Sequence, residues 1–319
     1  MRDSTRIIVL LAVVAVVGPA GAVPHAVPRA AAQKGPNACQ AATRAAFQAC
    51  REAAQSDKAL AFGKCANTSD PAVKKTCNQQ AGADAKDAFG ECKDQEDARA
   101  AVCGRLGPAP FTPPIAPASF TTTIDNPLFP LVPGTTFVYE GQTEAGLERD
   151  EFAVTHNTRV IADVSCVEVH DTVSVDGVLT EDTLDWFAQD LAGNVWYFGE
   201  NSKELEGGLV ATLGGSWMAG VDGAYPGIIM EAHSAVGDFY RQEFLLGEAE
   251  DLAEVSSVDE TVTLSDNTMY VHCLKTTETS PLEPDALENK FYAAGVGNVL
   301  VVDVTANERS ELIEVVTGQ

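Results

Sequence analysis

The residue types best suited to chemistry in this chain crowd into one stretch, Gly214 to Phe244, GGSWMAGVDGAYPGIIMEAHSAVGDFYRQEF. It is rich in glycine and contains Pro226, a composition that disfavours regular strands, and it carries Trp217, Tyr225, Met230 and His233. Long loops of this kind in a compact domain are characteristically lids or binding loops. The expectation is a cover over one mouth of a β-barrel, with Trp217, Tyr225 and Met230 against an apolar or aromatic small molecule. The plainer alternative is that these side chains fill the barrel as ordinary core. Arg241, in the strand-like DFYRQEF with Glu243 on its face, is suited to clamp a carboxylate through paired hydrogen bonds, or else to pair with one of many nearby acids.

Metal and enzyme signatures are weaker. His156, His170, His233 and His272 lie in the same half of the chain, and Glu168 and His170 point to one side of a strand, as two ligands would. No second ligand pair stands at a recognisable spacing, and there is no H-E-x-x-H. Calcium is the cation the oxygen-rich turns GEAED (247–251) and VDGVLTED (175–182) would suit, although neither matches the EF-hand loop. GGSWM departs from G-x-S-x-G at Met218, and no phosphate-binding loop is present. Carboxylate pairs are too abundant to identify a hydrolase.

These residues have to be positioned by β-structure. Leu184 to Glu200, LDWFAQDLAGNVWYFGE, is two alternating runs around a turn at Gly193-Asn194, which reads as a β-hairpin. Trp186 and Ala188 take one face, Phe187 and Gln189 the other, so a sheet built on this hairpin must be covered on both sides or curled around an interior. Trp186 and Trp196 therefore join Trp217, Tyr225, Met230, His233 and Arg241 as candidate ligand contacts. From Phe120 onward alternation and turn signals recur, giving strands near 135–142, 149–162, 164–176, 179–190, 194–202, 207–213, 238–246, 252–264, 268–279, 288–295, 298–305 and 310–316. The fold class this implies is an antiparallel β-barrel or strongly curved sheet, preceded by a small all-α domain.

The α part spans 36–106. Cys39, Cys50, Cys65, Cys77, Cys92 and Cys103 are separated by 10, 14, 11, 14 and 10 residues, a palindrome. Eleven steps along a helix return to within about 20° of the starting face, so Cys39 and Cys50 share a face, as do Cys92 and Cys103. An antiparallel helical hairpin with rungs Cys39–Cys103, Cys50–Cys92 and Cys65–Cys77 satisfies both arms, with a tip near 66–70 where Asp70-Pro71 starts a helix. Cys166 and Cys273, the pair left over, are expected to bond each other. The segment 107–119, with five prolines in Gly107–Pro117, reads as a semi-rigid linker, and 120–319 as the acidic β-domain.

Residues 1–22 carry Arg2 and Arg6, an eleven-residue apolar run and Ala20-Gly21-Ala22, the pattern of a secretory signal, and 23–35 read as unstructured. Export to an extracellular or periplasmic, oxidising compartment agrees with the disulfide framework. The chain carries a net charge of −25. It is unevenly spread: residues 34–107 hold eleven Lys+Arg against nine Asp+Glu, whereas 108–319 hold seven against thirty-six. So acidic a surface disfavours nucleic acid and anionic lipid as partners, and no membrane insertion is expected.

The combination DWFAQD, GNVWYFGE, GSWMAGVDGAYPGIIM, FYRQE, GEAED and PLEP…ENKFYAAGVGNVLVV, over roughly residues 120–305, resembles a family of secreted bacterial proteins to which no activity is assigned. The resemblance implies a calycin-like or lipoprotein-carrier-like curved β-sheet and brings no catalytic residues. The reading is then a secreted, non-enzymatic carrier of an apolar or aromatic small molecule, with the helical hairpin available for docking. The alternatives are an extracellular hydrolase or lyase using carboxylates with a divalent cation, and a surface adhesion or structural protein.

Overall fold

The computed structural model describes residues 37–318; the segment 1–22 expected to be a secretory signal and the stretch 23–35 expected to be unstructured lie outside the described residues. The described chain forms two compact units that meet in sequence between Phe111 and Thr112.

The first unit is the helical hairpin, α1 (Ala38–Ala66) and α2 (Pro71–Leu106). Asn37 caps α1 by accepting from Gln40 N, and Asp70 caps α2 by accepting from Ala72 N and Val73 N, with Pro71 in the first turn where no amide donor is needed. Apart from cysteines the two helices bury only Thr43, Ala54, Ala81, Ala85, Arg99 and Val102, which excludes too little apolar area to hold two long helices together. Covalent rungs supply the difference: Cys39–Cys103, Cys50–Cys92 and Cys65–Cys77 are all bonded, with Cα atoms 5.7, 5.7 and 5.5 Å apart. The outermost rung, between residues 64 apart, constrains the unfolded chain by about 4 kcal/mol in the loop-entropy account.

The second unit is a nearly closed antiparallel barrel. Its strands are β1 (Phe120–Thr121), β2 (Thr136–Gln142), β3 (Leu147–Ile161), β4 (Val164–Val175), β5 (Val178–Asp190), β6 (Val195–Asn201), β7 (Glu204–Glu206), β8 (Leu209–Thr212) and β9 (Trp217–Met218). There follow β10 (Tyr225–Met230), β11 (Phe239–Arg241), β12 (Glu243–Phe244), β13 (Leu252–Thr263), β14 (Met269–Thr279), β15 (Glu288–Ala293), β16 (Gly297–Asp303) and β17 (Glu308–Val316). Two meanders, β2 to β6 and β13 to β17, are joined on one side by β17 pairing β2. On the other side β10 bridges from β6 to β12, and β11 pairs β13. The seam is the two-residue β10–β12 ladder, Tyr225↔Phe244 and Pro226↔Glu243.

That seam corrects the expectation for the glycine-rich stretch. It is not a cover over a mouth: its residues form β9, β10, β11 and β12 and complete the wall. Gly227 is used for close approach, since a Cβ there would sit 2.3 Å from the Arg241 carbonyl oxygen.

The leftover cysteines require a second correction. Cys166 and Cys273 are not bonded to each other; both are free, fully buried thiols. Cys166 on β4 lies opposite Arg159 of β3, and Cys273 on β14 opposite Glu260 of β13. Around the barrel wall β4 and β14 are separated by β3, β2, β17, β16 and β15, so no ladder makes the two cysteines neighbours. Burial pushes the Cys166 thiol up to about 12, and it raises Cys273 as well.

The aromatic hairpin is β5–β6. Its outer face is covered by Phe120, whose ring stands edge-on to Trp196 at 6.0 Å and to Phe198 at 5.4 Å. Its inner face carries Phe187 stacked on Tyr197 at 4.8 Å, and these rings begin the interior.

Candidate functional site

The interior of the barrel is hollow in two adjoining places. One cavity, about 40 Å³ and half open to solvent, is walled almost wholly by apolar groups of Phe129, Leu131, Phe137, Tyr139 and Phe152, with Asn298 also in its lining. The other, about 70 Å³ and likewise half open, is lined by the rings of Phe129, Phe152, Phe187 and Tyr197 interleaved with Asp171, Asp185, Lys290 and Asn298. Phe129, Phe152 and Asn298 line both. A cavity with aromatic walls and a few convergent polar groups is the usual form of a small-molecule site.

Strand alternation explains how these residues converge. Phe152 of β3 faces Asp171 of β4, and Thr183 of β5 pairs with Asp171 from the other side, so Asp185 and Phe187 follow on the same inward face. Lys290 and Tyr292 of β15 share theirs. Phe129 comes from the segment between β1 and β2. There Gln189 Oε1 accepts from Asp125 N and Asn126 N at 3.0 and 2.9 Å, while Asn126 Nδ2 donates to the carbonyls of Gly193 and Glu231. Gly295 N donates to Pro127 O at 2.6 Å. Thus anchored, the segment presents Phe129 to Phe187 at 5.6 Å and to Phe152 at 6.4 Å. The cover expected of the glycine-rich stretch is supplied here instead, by Asn126-Pro127-Leu128-Phe129-Pro130.

Among the interior's polar groups acids exceed bases. Lys290 Nζ lies 2.9 Å from Glu278 Oε2 and 3.6 Å from Glu288 Oε2, all three side chains nearly inaccessible. Burial pulls the Lys290 ammonium down, but Glu278 and Glu288 outweigh it and the pKa is raised, so the lysine stays charged. Asp150, 1% exposed, is pushed up to about 7 by burial, and neither of its carboxyl oxygens has a hydrogen-bond partner. Burial and the neighbouring Asp150 raise Asp171 well above the carboxylate range, and burial and Asp171 do the same to Asp185, which accepts from Tyr197 OH at 2.5 Å. Two buried carboxyls that repel each other in this way titrate as a pair, the second proton leaving less readily than the first. Glu200 is also raised well above its ordinary value by burial and by Asp185, Glu243 by burial and by Asp251, and Asp251 reaches about 7 by burial. Asn298 is 8% exposed, and neither Nδ2 nor Oδ1 of its amide has a hydrogen-bond partner.

None of the residues singled out from the sequence as ligand contacts lines either of these two cavities. Trp217 is buried and stands edge-on to Tyr197 at 5.3 Å, outside the lining of both cavities. Trp186 is buried on the other face of β5, under the Arg159 guanidinium at 4.4 Å, and its Nε1 donates to Glu168 at 3.4 Å. Trp196 Nε1 donates to Asp190 at 2.9 Å. Met230 is fully buried in β10, Tyr225 is half-buried at the seam, and His233 is exposed. Arg241 is buried with its guanidinium 4.4 Å from the Phe244 ring. Of the proposed metal ligands, Glu168 accepts from Asn157 Nδ2 and Trp186, and His170 faces Asp182 at 3.4 Å. In the two acidic turns, Glu250 accepts from Gly247 N and Asp176 from Leu147 N. Among the described residues no group of three or more His, Cys, Asp or Glu is placed to hold a metal ion.

Signals for the true lining were present. Asp185 alternates in phase with Phe187, and Lys290 with Glu288 and Tyr292, so charged and aromatic groups had to share a face.

No protein-family model matches the chain, and no curated protein does so significantly. A crystal structure described as a "putative lipoprotein" of Parabacteroides distasonis overlaps 59% of this chain and 98% of its own, at 13% identity and a TM-score of 0.32, a likeness too slight to bear on function. Three disulfides place the protein in an extracellular or envelope location, and among the described residues no helix is long and apolar enough to cross a membrane.

Proposed function

We propose that the β-unit is a secreted, non-enzymatic carrier that holds one amphipathic small molecule inside its barrel, with the disulfide-laddered hairpin serving as a spacer or docking module. The observation that carries this reading is the pair of adjoining cavities, one walled by apolar groups around Phe129 and Phe137, the other adding Asp171, Asp185 and Lys290 to the same rings. An apolar group buried among these rings gains roughly 25 cal/mol per Å² removed from water, and the polar groups fix which end enters first. The pair Asp150 and Asp171 favours the second reading, a hydrolase, because two acids that titrate as a pair can act as acid and base. Only Asp171 of that pair lines the cavity, however, so the carrier accounts for more of the wall.

The test is fluorescence titration with N-phenyl-1-naphthylamine, an apolar dye that brightens out of water. Wild-type protein should bind one equivalent with micromolar affinity. Asn298→Phe, which fills the junction of the two cavities without breaking a side-chain hydrogen bond, should abolish the signal while the melting temperature holds. A dye that fails to bind, or binds the plugged variant equally well, would remove the support for a carrier.

A further inference from the structure

Resting on the carrier reading, the geometry points to an organic cation as the occupant: a protonated or quaternary amine bearing an aromatic or alkyl group, its head among Asp171, Asp185 and Asn298 and its apolar part between Phe129 and Phe152. Charge balance is the first ground. Lys290 is engaged by Glu278 and Glu288, so the one ammonium that lines the cavity is matched by two acids before Asp171 and Asp185 are considered. Asp185 has a tyrosine hydroxyl as its partner, and Asp171 has another carboxyl as its neighbour. Burial keeps protons on Asp171 and Asp185 in the empty cavity, and a cationic head lets them ionise against it with release of a proton, whereas an anionic head gives them nothing to ionise against.

The walls supply the second ground. Phe187 and Tyr197 stack with planes 14° apart, Phe152 and Phe129 close beside Phe187 at 6.3 and 5.6 Å, and such rings attract a cation electrostatically. The third ground is independent of both. The Asn298 amide, 92% buried at the junction of the cavities, has an acceptor and a donor without partners, and a buried amide left that way costs about 1–3 kcal/mol. The amide oxygen turns the negative end of its dipole toward a positive head, which meets it through an N–H where the amine carries one and through polarised methyl groups where it is quaternary.

The experiment compares phenyltrimethylammonium with its neutral isostere tert-butylbenzene, each displacing N-phenyl-1-naphthylamine from the full chain. Wild-type protein should bind the cation at least as tightly as the more water-averse neutral probe. Asp171→Asn and, separately, Asp185→Asn should each lower the cation-to-neutral affinity ratio at least tenfold. Both replacements are nearly isosteric and relieve repulsion, so the neutral probe also reports that the barrel is intact. A wild-type protein that prefers tert-butylbenzene, or a ratio unmoved by both substitutions, overturns the cation assignment and leaves the carrier standing. Failure of the dye itself to bind overturns the carrier and this assignment together.

Discussion

The titration of the lumen predicts a stability profile opposite to that of most acidic proteins. The perturbation is pH alone, from 4.5 to 7.5 at fixed ionic strength. Asp150 and Asp251 are moved by burial from an ordinary 3.8 to about 7, and Asp171, Asp185, Glu200 and Glu243 shift the same way. A carboxyl whose folded pKa is raised keeps its proton in the native state after the unfolded chain has lost it. Stability is therefore greatest below the unfolded value and declines as pH climbs toward the folded one. Each such proton is worth about 1.4 kcal/mol per pH unit, so Asp150 and Asp251 together would remove up to about 3 kcal/mol per unit between roughly pH 5 and 7, or very roughly 5–10 °C of melting temperature. Asp182 and Asp190, whose hydrogen-bonded partners lower them, act in the contrary sense, but their contribution is lost only as pH falls below about 4, outside this window. Urea denaturation followed by tryptophan fluorescence isolates the barrel, because Trp186, Trp196 and Trp217, the chain's three tryptophans, all lie in it. The midpoint should fall steadily from pH 4.5 to 7.5. A midpoint that rises over that span would refute the assignment of these acids to a dry interior.

Three further outcomes follow from particular contacts. Alkylation of the denatured, unreduced chain followed by mass spectrometry should find two reactive thiols, Cys166 and Cys273, and six protected cysteines; the folded protein should resist alkylation at both. Lys290→Met should destabilise the barrel by about 3–5 kcal/mol, because it strands Glu278 and Glu288, and adding Glu278→Gln with Glu288→Gln should recover most of the loss in a double-mutant-type cycle. Gly227→Ala should cost at least about 2 kcal/mol by forcing β10 away from the Arg241–Gln242 backbone, whereas Gly223→Ala, with open space around it though in a left-handed turn, should cost less; chemical denaturation ranks the two.

The helical hairpin was legible because its constraint is arithmetic: equal spacings on a helix put cysteines on one face, and two antiparallel arms then allow one nested pairing. The meander was legible as well, since β2 to β6 and β13 to β17 alternate strongly and end at turn residues. The candidate site was much less so. Alternation separates two faces of a strand without saying which is inside, and the natural reading of Glu148, Asp150, Glu181, Asp185, Glu278 and Glu288 as solvated charge was wrong for all six, which are buried. The same limit hid the lining. The glycines around Trp217 and Tyr225 read as a loop because such a composition disfavours regular strands, yet Gly227 serves close strand contact, and the aromatic lining includes Phe129 from the segment before β2. Cys166 and Cys273 were paired by elimination, an argument with no geometry in it, and ladder order places them on strands that are not neighbours.

The central claim is a hollow barrel that carries one small molecule between Phe129 and Asp171. Native mass spectrometry of protein recovered from its own culture medium, before and after organic extraction, tests it most directly. The account predicts a single extractable adduct of one small molecule per chain, absent from Asn298→Phe prepared in the same way. Bare chain mass in the wild type, or an adduct that the plugged variant retains, would contradict it.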